Sequence, residues 1–112
     1  MNITMSQEFS SMVIRIAGSL DALTSDEAQI FLDKQIDSTQ KCLVIDLSQV
    51  DYLSSAGLRV LISAMKNSRQ HGGDLYLAGL RDNVLQVLSL AGFTCIFKIF
   101  PTVEEALGAF TK

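Results

Sequence analysis

Three short stretches carry side chains that could do chemistry: Gly18-Ser19-Leu20-Asp21, Asp46-Leu47-Ser48, and Asp51-Tyr52-Leu53-Ser54-Ser55-Ala56-Gly57-Leu58. Each follows an apolar, β-branched run, where a strand should end and a helix begin and where backbone N–H groups are left without partners. The third stretch is the most informative. Ser54 and Ser55 stand where a hydroxyl caps a helix, and Ala56 and Gly57 are small enough for another molecule to approach the backbone. Capping alone accounts for a serine there. The same hydroxyls are also candidate acceptors of a phosphoryl group, because a phosphate at a helix start faces free N–H groups and the positive end of the helix dipole. Such a group adds about 1.5 to 2 negative charges without unfolding the domain. Those charges would sit beside Asp51, with Asp21 and Asp46 at the neighbouring strand exits. Together they would repel an acidic partner patch and obstruct a close-packed one.

Other chemistry finds little material. The single histidine, His71, adjoins Gly72-Gly73 and reads as the last residue of a helix. There is no Ser/His/Asp set, no GxxxxGK[ST] phosphate loop and no Cys/His cluster of ligand spacing, so no catalytic residue, bound metal or cofactor is expected. Cys42 and Cys95 each lie in an apolar run and read as reduced, buried thiols. A net charge of −3 argues against a grip on phosphate backbones and so against nucleic acid as partner. No apolar run approaches the roughly 20 residues that cross a bilayer. The start, MNITMSQEFSS, lacks the basic and apolar regions of a signal peptide. The expectation is a cytoplasmic protein without a membrane partner, monomeric when free.

The elements that must position these residues follow from hydrophobic period. A chain of 112 residues with 48% apolar and 19% charged residues fits one globular domain, taken as 1–112, with no linker at which to divide it. Ile3 to Phe9 alternates weakly and reads as an edge strand, joined through a Ser10-Ser11 turn to a buried strand, Met12–Ala17, that stops at Gly18. Thr24-Ser25-Asp26-Glu27 opens a first helix through Ala28, Phe31 and Leu32. Cys42–Ile45 is a second buried strand ending at Asp46. Leu58, Leu61, Ile62 and Met65 share one face of a helix that ends near His71-Gly72-Gly73. Leu75–Ala78 is a strand, Val84–Leu90 a helix closed by Gly92, and Ile96–Phe100 a strand stopped by Pro101. Thr102 and Glu105 form a capping box for a last helix. This alternation builds an α/β layer domain with a mostly parallel sheet.

Gly18-Ser19-Leu20-Asp21, the strand Leu43-Val44-Ile45-Asp46-Leu47 and the run from Val50 to Leu61 resemble the STAS family of bacterial anti-sigma factor antagonists. The resemblance covers nearly the whole chain. It implies a single STAS-like domain: a mostly parallel sheet of four to five strands with an N-terminal edge strand and about four helices. It also implies partner switching. The unmodified protein would bind an anti-sigma factor that is also a serine kinase, releasing a sigma factor; phosphorylation would end the complex, and a PP2C-type serine phosphatase would restore it. ATP and magnesium would belong to the kinase. The family's phosphorylated serine stands in Asp-Ser-Ala/Ser/Thr-Gly, and alignment on Gly57 places Ser55 at that serine. Ser54 takes the place of the usual acid and offers a second hydroxyl, which makes it the alternative acceptor. Asp21, Ser54, Ser55, Gly57 and Leu58 are the expected partner-binding residues, with Asp46 and Asp51 weaker candidates.

Two rivals remain. A receiver domain of two-component signalling would use Asp46 as an acyl-phosphate acceptor, but it needs an acid pair after the first strand, which Met12–Gly18 does not offer. A STAS module can also serve as a non-phosphorylated scaffold or subunit of a transport or stress complex.

Overall fold

A computed structural model describes residues 1–38 and 42–110; residues 39–41 and 111–112 of the expected single domain lie outside it. The described chain runs β1 (Asn2–Glu8), β2 (Ser11–Leu20), α1 (Ser25–Ser38), β3 (Cys42–Leu53), α2 (Ser55–Gln70), β4 (Asp74–Ala78), α3 (Asp82–Leu90), β5 (Lys98–Phe100) and α4 (Val103–Phe110). The five strands form one sheet in sequence order, β1-β2-β3-β4-β5. The β1–β2 pair is antiparallel and the other pairs are parallel, as the expected edge strand and helical crossovers require.

Alternation along the strands sorts side chains onto two faces. On one face, Ile14, Ile16, Leu43, Ile45, Leu75 and Leu77 are sealed by α1, α2 and α3 through Leu32, Ile36, Leu61, Met65, Val84 and Leu88. On the other, Val13, Val44, Tyr76 and Ala78 are covered by one helix, α4, through Ala106 and Leu107, with Phe110 stacked on Tyr76 at a centroid distance of 3.9 Å. Thr102 accepts a hydrogen bond at its Oγ1 from the Glu105 N–H at 3.2 Å, one arm of the expected capping box. α2 ends at Gln70 with His71 as its C-cap, near the expected end.

Several boundaries differ from the sequence reading. The first turn is Phe9-Ser10, with Phe9 at φ +59°, and Ser11 is already a buried β2 residue. β2 and β3 do not stop at Gly18 and Asp46 but continue to Leu20 and Leu53. Their parallel register slips twice, between Arg15/Ala17 and between Gly18/Ser19, and β3 takes the extra residue each time. Gly18, at φ +101°, accommodates the second irregularity. β5 begins at Lys98 rather than Ile96, and Phe97, just before it, is buried in the larger core. Cys42 is half-buried and Cys95 exposed, so the expectation of two buried thiols is corrected; both are free. Cys95 precedes β5 in a turn, where no strand register draws its side chain inward.

Candidate functional site at the start of the second helix

β3 delivers the chain from Leu53 into α2 across a single residue, Ser54. Ser54 is extended (φ −92°, ψ 174°), the backbone of a helix cap, and its Oγ accepts from the Gly57 N–H at 3.2 Å. Its carbonyl accepts the first helical bond, from the Leu58 N–H at 2.9 Å, and its own N–H donates to the Leu20 carbonyl at 3.0 Å. Ser54 is therefore half-buried and fastened on three sides. Ser55, the first residue of α2, is exposed. The two neighbouring hydroxyls thus have different situations: one is part of the frame, the other faces outward.

Gly57 and Leu58 lie inside the protein. A Cβ on Gly57 would stand 2.4 Å from the Leu20 carbonyl oxygen and 2.9 Å from Leu53 Cδ1, so the close approach that needs a glycine comes from this chain's own β2 and β3. The expectation that Gly57 admits another molecule is corrected accordingly. Leu58 is 5% exposed and belongs to the large core. Both shape the surface by fixing how α2 sits on the sheet.

Asp21 organises the loop that runs from β2 to α1. Its carboxylate accepts from the Leu23 and Thr24 N–H groups at 3.0 and 3.3 Å. The Thr24 hydroxyl, expected to cap α1, instead donates to the Ser19 carbonyl at 2.9 Å and accepts from the Asp21 N–H at 3.0 Å. The loop is joined to the α2 start by the Leu20–Ser54 hydrogen bond, and it leaves Leu23 93% exposed. Asp51 is exposed and accepts from the Ser19 hydroxyl at 3.2 Å, while its backbone carbonyl accepts from Asn83 Nδ2 at 2.8 Å. Tyr52, opposite Ser19 in the sheet register, is 53% exposed. Asp21, Asp51 and Ser55 are therefore held at one end of the sheet, where β2 and β3 finish.

Asp46 does not join them. It lies within β3, two residues beyond Val44 and on the face that α4 covers, where it pairs with Arg15 Nε at 3.7 Å and accepts from the Ser48 N–H at 2.9 Å. The expectation of a third acid beside Ser55 is corrected, because β3 continues past Asp46 instead of ending there. Sequence reading also missed Leu23 and Asn83 as parts of this end and gave Tyr52 no role there. Their only signal was large or polar side chains close to the acidic loops. No group of three or more metal-ligating side chains occurs among the described residues.

Comparisons with known proteins place the fold. The STAS domain model matches residues 2–106, and the chain belongs to the STAS domain family. BtrV of Bordetella bronchiseptica, assigned as an anti-sigma factor antagonist, is 33% identical over 110 residues, which cover 98% of this chain and 95% of that protein. The anti-sigma F factor antagonist of Paenibacillus polymyxa is 27% identical over 113 residues, covering 100% and 94%. The anti-sigma factor antagonist SpoIIAA in its unphosphorylated form superposes with a TM-score of 0.85 at 17% identity, over 98% of this chain and 96% of that one. Bacillus SpoIIAA in its phosphorylated form gives 0.76 at 16% identity, over 97% and 99%. The architecture is thus shared with an anti-sigma factor antagonist solved in both states.

Proposed function

We propose that this protein is a cytoplasmic anti-sigma factor antagonist that works by partner switching. Unphosphorylated, it binds an anti-sigma factor that is also a serine kinase and so frees a sigma factor. Phosphorylated on Ser55, it lets go. The relatives named as anti-sigma factor antagonists support the role. The observation that carries the site is the contrast between Ser55, exposed on α2, and Ser54, whose hydroxyl is taken by the Gly57 N–H.

In the proposed cycle the Ser55 hydroxyl attacks the γ-phosphorus of ATP held by the kinase. A serine O–P bond forms, the bond to the β,γ-bridging oxygen breaks, ADP leaves and the hydroxyl proton passes to a base on the kinase. A PP2C-type phosphatase reverses the modification by attack of water at phosphorus, which releases inorganic phosphate. This chain is substrate and binder throughout, and the exposed Leu23 and Tyr52 supply apolar contact area beside Asp21 and Asp51.

The test is a binding comparison with the purified anti-sigma factor kinase of the native host, using protein with serine or phosphoserine at position 55. Phosphoserine is expected to weaken binding by at least about tenfold, about 1.4 kcal/mol. Equal affinity would contradict the switch. No binding by either form would favour the scaffold reading.

A further inference from the structure

Ser55 and Arg59 stand four residues apart on α2, and both are exposed. Residues at that spacing share one helix face with Cβ atoms about 5–6 Å apart. Helical side chains lean toward the N-terminus, so the long Arg59 side chain has the reach to extend over the turn that carries Ser55.

The acidic side chains around Arg59 have other partners. Arg59 lines a groove of about 600 Å³ together with Lys66 of α2 and Asp33 and Asp37 of α1. The Asp33 carboxylate accepts from Gln29 at 3.0 Å and from Asn67 at 3.4 Å, and Asp37 lies 3.8 Å from His71 Nε2. Among the described residues the ion pairs are Arg15–Asp46 and Arg69–Asp74, with His71 facing Asp37; none of these contacts includes Arg59.

We infer that Arg59 is the intramolecular receiver of the phosphate on Ser55, an inference that rests on Ser55 being the acceptor. A guanidinium presents paired N–H donors that match phosphate oxygens, and an ion pair of this kind is stronger than a neutral hydrogen bond. Modification then changes the surface in two ways. It adds negative charge at the start of α2, and it withdraws a positive charge from the rim of the α1/α2 groove.

The experiment installs phosphoserine at position 55 during translation, so no kinase is needed, and follows the second ionisation of the phosphate by ³¹P NMR at low salt. Arg59→Gln is expected to raise the titration midpoint by about 0.4 pH unit, with Arg59→Lys in between. High salt should shrink the difference, as screening requires. In the unsubstituted protein the Arg59 Nε–H resonance should move with the same midpoint, a readout that needs no variant to fold. One shared midpoint in all three proteins, or an Arg59 resonance indifferent to the phosphate, would overturn the inference. A Ser55 that the kinase does not modify would sink the switch and leave this titration unaffected, so the two failures are distinguishable.

Discussion

On one face of the sheet, three helices close over a continuous core in which Leu32, Leu61, Leu77 and Leu88 have no exposed surface. On the other, a single helix of 8 residues covers Val13, Val44 and Tyr76 and leaves Arg15 and Asp46 in an open polar cleft with Ser48 and Glu104. Ser55 projects from α2, a helix of the closed face, and everything that fixes its backbone is apolar or hydrogen-bonded within the chain. The difference explains how the proposed phosphate on Ser55 would leave the fold intact: the packed residues and the proposed acceptor are adjacent but separate.

The comparison can be broken most easily in the core. Leu77→Ala, on the closed face, is expected to cost about 4 kcal/mol, whereas Leu107→Ala, on the half-open face, should cost about 2, measured by urea unfolding. Equal losses would mean that the α4 face packs as tightly as the other. Gly57→Ala forces a Cβ against the Leu20 carbonyl and should cost about 2 kcal/mol by the same method. A neutral result would show that α2 can lift from β2 freely. Ser54→Ala removes the cap and should cost about 1 kcal/mol, while Ser55→Ala stays within about 0.5 kcal/mol of the unsubstituted protein. Reversal of that order would exchange the roles assigned to the two serines. Asp46→Asn should likewise change stability by no more than about 0.5 kcal/mol, since its partner Arg15 is 45% exposed and the pair is screened.

Much of this arrangement was legible in the residues. The runs Val13–Ile16 and Leu43–Ile45, and the spacing of Leu58, Leu61 and Met65, announce buried strands and a one-faced helix because their periods are regular. The ends of β2 and β3 were not legible. The buried residues Ile45, Leu47, Val50 and Leu53 break the two-residue period at the register slips, so the last turn of β3 looks like a loop with acids in it. That misreading put Asp46 at the end of β3 beside Ser55 instead of within the strand. Ser54 and Ser55 illustrate another limit: both are plausible caps by type, and only the path of Leu53 into α2 decides which hydroxyl turns toward the Gly57 N–H. Nor could sequence pattern reveal that Gly57 is a glycine because of Leu20, 37 positions earlier in the chain.

The division between Ser54 as frame and Ser55 as signal is tested most directly by mapping phosphate on the protein recovered from its native host. The tryptic peptide Cys42–Arg59 holds Ser48, Ser54 and Ser55, and fragmentation by mass spectrometry distinguishes them. The account predicts one phosphate, on Ser55, lost in Ser55→Ala and retained in Ser54→Ala. Phosphate on Ser54 that survives Ser55→Ala, or none on either serine while the partner still binds and releases, would contradict it.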